Sequence, residues 1–189
     1  MRNFRELLND RKGLLDADRY EVVVNTIANI IIEAFRRGNK VLWMGNGGSA
    51  ADAQHLSAEF SGRFLRNRKA LPSEALSVNS SAVTAIANDF GYEHVFERQI
   101  EAFVKSGDIV IGITTSGNSL NIVLALKAAK EMGALTIAFT GNGGGEVAEI
   151  ADLSLVGPNG YSALVQEVHI TMGHIICDLV DQEMFNVAT

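Results

Sequence analysis

The sequence predicts an α/β protein: a three-layer α/β/α sandwich with a five-stranded parallel sheet and long helices at both ends. Three observations carry this. From Lys40 onward, five short apolar runs alternate with stretches of helical periodicity. Apolar runs without polar alternation are strands buried on both faces, as in a parallel sheet covered by helices. Before and after this region lie two long amphipathic patterns of helical period.

The elements follow in order. Tyr20, Val23, Val24, Ile27, Ile30, Ile31, Ala34 and Phe35 recur on one wide helical face. Arg36 and Arg37 suit its last turn, and Gly38 suits the position just past its end. This region, residues 1–38, is expected to pack on the domain or at a subunit interface. Val41–Met44 is the first strand and ends at Gly45, and Ala75–Val78 is a weaker second. Ile109–Ile113, Leu135–Phe139 and Leu153–Val156 are the third, fourth and fifth. Helical patterns fill about 49–65, 81–102, 119–132 and 144–150. The tail, about 161–185, carries an apolar face of Val165, Val168, Met172, Ile175, Ile176, Leu179 and Val180. No linker or low-complexity segment divides the chain, so residues 1–189 read as one domain.

Composition narrows the function. The 189 residues carry a formal net charge of −6, which argues against a nucleic-acid or anionic-membrane partner. A single cysteine, Cys177, excludes an intrachain disulfide and a Cys-rich metal knuckle, and fits a reducing compartment. The start of the chain has no apolar signal region, and Ile27–Ile32 is too short to cross a bilayer. A cytoplasmic location is expected.

In parallel sheets ligands sit beyond the C-terminal ends of the strands. After the first strand comes Gly45-Asn46-Gly47-Gly48-Ser49-Ala50, opening a helix. Glycines admit a ligand close to the backbone, and a helix N-terminus offers free N–H groups. The spacing also fits a dinucleotide fingerprint, but Val78-Asn79-Ser80-Ser81 supplies no acid to hold a ribose. After the third strand, Gly112–Ser119 has the frame of a P-loop with Asn118 in place of its lysine. That argues against nucleoside triphosphates. Thr114, Thr115, Ser116 and Ser119 remain, four hydroxyls suited to a monophosphate beside a helix start. Gly141–Gly145 reads as a tight turn.

His55 and Glu59 stand four apart on one helical face, where they can share a metal or act as a base and its orienting partner. The tail helix offers Gln166, His169 and His174. Gln166 and His174 are eight residues apart, a rise of about 12 Å, so helical geometry alone pairs Gln166 with His169. Asn88-Asp89 is either a helix stop or a polar pair facing the same crevice.

Five segments together carry a family resemblance: GNGGSAADAQHLSAEFSGRF, AIANDFGYEHVFERQIE, GDIVIGITTSGNSLNIVLAL, LTIAFTG and VQEVHITMGHIICDLV. They resemble the phosphoheptose isomerases (sedoheptulose 7-phosphate isomerases), within the sugar-isomerase (SIS) superfamily of phosphosugar-binding domains. The resemblance runs over nearly the whole chain in matching order. It implies a flavodoxin-like SIS fold assembled as a homotetramer with sites between subunits. It implies interconversion of sedoheptulose 7-phosphate and D-glycero-D-manno-heptose 7-phosphate, the first step toward heptose for bacterial surface polysaccharide. The family's ligands to one zinc per subunit fall on His55, Glu59, Gln166 and His174. Its substrate contacts fall on Asn46, Gly47, Gly48, Glu59, Asn88, Asp89, Thr114, Thr115, Ser116, Ser119 and Gln166. The resemblance thus favours His174 over His169.

Such a reaction moves a proton between C1 and C2 through an enediolate. Glu59 is the expected base and His174 the acid serving the oxygens. The alternative is a non-catalytic SIS tetramer that binds the bacterial replication initiator. A protein of that branch could keep the glycine and hydroxyl loops without the acid–base residues, and here Glu59 and His174 are both present. Phosphosugar-sensing domains usually accompany a DNA-binding domain, for which this chain has no room.

Overall fold

The computed structural model describes residues 3–185. Its helices are α1 (Phe4–Asn9), α2 (Ala17–Arg36), α3 (Gly48–Ser61), α4 (Ser80–Phe90), α5 (Glu97–Phe103), α6 (Leu120–Glu131), α7 (Gly145–Ile150) and α8 (Ser162–Phe185). The strands are β1 (Val41–Gly45), β2 (Ser73–Ala75), β3 (Ile109–Thr114), β4 (Leu135–Thr140) and β5 (Leu153–Val156). All strand pairs are parallel, in the order β2-β1-β3-β4-β5. This is the doubly wound arrangement in which the chain reverses direction of growth between β1 and β3.

Side chains alternate across each strand and divide the core into two layers. Val41, Trp43, Ile109, Ile111, Ile113, Ile137 and Phe139 pack with buried residues of α2, α3 and α8. Leu42, Met44, Val110 and Ala138 pack with residues of α5, α6 and α7. The strand burial is continuous because both faces are covered; every residue of β1 and β3 is buried.

The N-terminal region divides in two. In α2, Asp16 caps the first turn by accepting from the Asp18 N–H, and Gly38, at φ +81°, closes the far end. Eight of its residues are buried, so α2 belongs to the domain core. By contrast, α1 buries nothing. The segment after it is tied down by Arg11, which binds Glu167 at 2.9 Å.

Three element boundaries differ from the sequence reading. The helix read over about 49–65 ends at Ser61, where Gly62 follows. The second strand lies earlier, at Ser73–Ala75, and is only three residues long. It is an edge strand, so fewer of its side chains need be apolar. The helical pattern over 81–102 breaks at Gly91, whose φ of +99° ends α4. A short 3₁₀ turn, Tyr92–His94, then leads into α5.

One further difference concerns the tail. By length and composition alone α8 could cross a membrane, which the sequence reading missed. Half of that stretch is buried inside the fold, against α2 and α3, so it is a core helix.

Candidate functional site

The first strand delivers the chain into Gly45–Gly48. Asn46 and Asn121 exchange two amide hydrogen bonds, each 2.9 Å, and the Tyr92 hydroxyl donates to Asn46 Oδ1 at 2.9 Å. The side chain of Asn46 is therefore engaged in holding the loop to the start of α6. The exposed backbone of Gly47 and Gly48 is what that loop offers a ligand. Neither Asn121 nor Tyr92 stands out in the sequence reading. The readable signal was Asn121 itself, a buried amide inside the apolar helix LNIVLAL.

The hydroxyl loop after β3 forms a compact cluster. Thr114 Oγ1 lies 2.9 Å from Ser119 Oγ and 3.4 Å from Ser116 Oγ. Thr115 turns the other way and lies 3.1 Å from the hydroxyl of Ser162, the first residue of α8. Ser119 is the N-cap residue of α6, yet its side chain makes no capping bond. Three hydroxyls thus converge where the helix presents free N–H groups and the positive end of its dipole. Gly117 fixes the shape of the turn: its φ is +74°, and a Cβ there would stand 2.0 Å from the Gly144 carbonyl oxygen. The tight turn at Gly141–Gly145 is therefore the wall that the hydroxyl loop leans on.

A third group lies between α3 and α8. His55 Nε2 is 2.8 Å from His174 Nε2 and 3.3 Å from Glu59 Oε1. One ligand atom from each of the three lies within 4.8 Å of the others. Two imidazoles and a carboxylate are a donor set that zinc accepts. Phe64 stacks on the His174 ring, with centroids 5.6 Å apart and an interplanar angle of 22°. Burial and the neighbouring His55 push the His174 pKa below the ordinary histidine value, while Glu59 opposes the shift.

The register of two helices explains how residues so far apart in sequence meet. Gly48 faces the Gln166 amide, Leu56 faces Gly173, and His55 faces His174. So α3 and α8 run side by side in the same direction. Gln166 and His174, eight residues apart, each face α3, two turns from one another. Gln166 sits at the glycine loop, where its Nε2 would be 2.5 Å from a Cβ on Gly48.

His169 does not join them, which corrects the pairing that helical geometry suggested. It is fully buried, and its Nε2–H donates to the Thr140 carbonyl at 2.9 Å. Burial lowers its pKa to about 4. Asn88 and Asp89 are exposed at the end of α4 and hydrogen-bond to each other at 2.8 Å. Within one chain they are joined to none of the three groups above by a hydrogen bond among the described residues.

Comparison with known proteins identifies the family. The SIS domain family matches residues 17–141. The phosphoheptose isomerase of Clostridium acetobutylicum is 49% identical over 190 residues, covering 98% of this chain and 97% of that protein. That of Aquifex aeolicus is 49% identical over 179 residues, covering 95% and 93%. The solved phosphoheptose isomerase of Neisseria gonorrhoeae is 39% identical with a TM-score of 0.81, covering 94% of this chain and 92% of that one. That of Francisella tularensis is 30% identical with a TM-score of 0.88, covering 96% and 100%. The chain belongs to the phosphoheptose isomerase family of SIS-domain proteins.

Proposed function

We propose that this chain is an aldose–ketose isomerase that converts sedoheptulose 7-phosphate to D-glycero-D-manno-heptose 7-phosphate. This would be the first step of heptose synthesis for bacterial surface polysaccharide. The carrying observation is the pairing of two sites: the Thr114–Ser119 hydroxyl cluster beyond the end of β3, and the His55–Glu59–His174 group between α3 and α8, with contacts of 2.8 and 3.3 Å.

The chemistry follows from these residues. Thr114, Ser116 and Ser119, with the N–H groups opening α6, hold the phosphate, and Thr115 lines the same turn. Backbone N–H groups at Gly47 and Gly48, the loop held by Asn46, and the Gln166 amide orient the sugar. Asn88 and Asp89 are proposed as contacts supplied from a neighbouring subunit. Binding at the phosphate end holds C1 and C2 against Glu59. Glu59 removes the proton from one carbon and returns it to the other. His174 delivers and recovers the proton at the oxygens as charge shifts between them. His55, Glu59 and His174, with Gln166 as the proposed fourth ligand, would hold one zinc per subunit. Zinc, when bound, polarises a carbonyl and stabilises negative charge on its oxygen.

We further propose that residues 1–189 act as one domain, that the protein is cytoplasmic, and that it works as a homotetramer with neither nucleic acid nor membrane as partner. The tetramer reading is supported by apolar side chains left exposed on α1: Phe4, Leu7 and Leu8. Sedimentation showing only a 20.3 kDa species would refute it. The test of activity is NMR of sedoheptulose 7-phosphate incubated with the protein, with and without chelator. Absence of the aldose product under both conditions, with the initiator bound instead, would support the non-catalytic alternative.

A further inference from the structure

The segment between α3 and β2 contains a buried cation that the proposed chemistry does not use. The Arg68 side chain is 1% exposed. Its Nε–H donates to Asp181 Oδ1 at 2.7 Å, and Asp181 is fully buried on α8. One guanidinium NH2 group donates to the Glu59 carbonyl at 2.7 Å; the other donates to the Phe60 carbonyl at 2.7 Å and the Lys69 carbonyl at 3.2 Å. The Phe185 ring lies 5.5 Å from the guanidinium carbon.

These partners are not scattered. The carbonyls of Glu59 and Phe60 belong to the last turn of α3, where no intrahelical N–H remains to satisfy them. Glu59 is the proposed base. Asp181 lies seven residues, two turns, beyond His174 on α8. Lys69 lies in the same segment as Phe64, whose ring stacks on His174. One planar fork therefore grips the end of the helix bearing Glu59, the helix bearing His174 and the segment bearing His174's aromatic cover.

We propose that Arg68, through Asp181, is a positioning residue that fixes the separation and orientation of Glu59 and His174. This rests on the reading of those two as the acid–base pair. The physical reason is stiffness. Proton transfer to adjacent carbons and oxygens demands placement within a fraction of an ångström, and a misplacement of about 1 Å can cost a hundredfold. A half-buried carboxylate at a frayed helix end would not hold such a position. A guanidinium in a rigid fork does, and a lysine, with a single ammonium, cannot reach the same set of acceptors.

The test uses the full-length protein with Arg68→Lys and Asp181→Asn, the second nearly isosteric and still able to accept from Nε–H. Turnover of sedoheptulose 7-phosphate is measured at a temperature where circular dichroism shows each variant folded. Wild type is run alongside. Wild type without turnover would defeat the acid–base reading itself, whatever the variants do. With wild type active, Arg68→Lys is expected to lower kcat at least tenfold with KM within about threefold, because the phosphate loop is untouched. Asp181→Asn is expected to lower kcat several-fold in the same pattern. A purely structural pair would lower Tm and leave kcat of the folded enzyme unchanged; that result in either folded variant overturns the proposal. If Arg68→Lys does not fold, Asp181→Asn decides alone. Failure of both to fold would assign the pair to stability and overturn it as well.

Discussion

His55 Nε2 and His174 Nε2 are 2.8 Å apart, although 119 residues separate them in the chain. At that distance one ring donates a hydrogen bond and the other accepts it. Two nitrogens bound to a tetrahedral zinc at about 2.0–2.1 Å would stand roughly 3.4 Å apart. Admitting a metal would ask the rings to part by about half an ångström. Glu59 closes the third side.

The first prediction is therefore that metal-free protein binds one Zn²⁺ per chain. His55→Ala should lower that affinity by roughly tenfold or more, with any loss of turnover partly recovered by added zinc. Calorimetric titration and metal analysis check it. An unchanged affinity in His55→Ala would remove His55 from the ligand set.

Glu59→Gln and His174→Gln should each lower kcat by roughly 10² or more, the usual scale of general acid–base catalysis. Phosphosugar affinity should change far less, because the hydroxyl loop is untouched. Solvent-deuterium exchange at C1 and C2 is the sharper measurement. Wild-type exchange in the Glu59 variant would mean that another group moves the proton.

At the other end of the site, Ser116→Ala removes one hydroxyl from the cluster with Thr114 and one acceptor from the Asn118 N–H. It should raise KM about tenfold with kcat little changed, since the contact is made in ground and transition states alike. Unphosphorylated sedoheptulose should turn over poorly. Equal turnover of both sugars would show that the loop does not read phosphate.

His169 makes stability depend on pH. Its folded pKa is about 4, lowered first by burial, with the hydrogen bond to Thr140 opposing. An unfolded histidine titrates near 6.5, so between those values the unfolded chain binds the extra proton. Stability is complete above about 6.5 and falls as pH drops toward about 4, by roughly 3 kcal/mol in total. Urea unfolding of wild type and His169→Gln across that range checks this. The slope assigned to His169 should vanish in the variant.

At Gly173, α8 passes close against α3. A Cβ there would stand 2.5 Å from Leu56 Cδ1, and Leu56 is fully buried. Gly173→Ala should destabilise by about 1–3 kcal/mol through overpacking. Because the residue adjoins His174, kcat should fall too. A variant with unchanged Tm and unchanged kcat would show that the two helices part without cost.

Much of this molecule was legible along the chain. Apolar runs announced β1, β3, β4 and β5 because strands covered on both faces leave no polar alternation to confuse them. Gly38 punctuated the end of α2 through its backbone conformation, whereas the break at Gly91 went unread. His55 with Glu59, and Thr114 with Ser116 and Ser119, were readable because each set lies within one turn or one loop. What sequence could not decide was partnership across elements. On a lone helix, Gln166 goes with His169; only the register of α3 against α8 sends His169 into the core beneath Thr140 and turns His174 toward His55. The three-residue edge strand β2 has too few side chains to signal itself. Arg68 reads as one more charge in a polar stretch, and only packing shows that its guanidinium is buried among the carbonyls that end α3. Local spacing is set by covalent geometry and is written in the chain, whereas the meeting of distant residues is set by how apolar faces pack, which the chain specifies only as a whole.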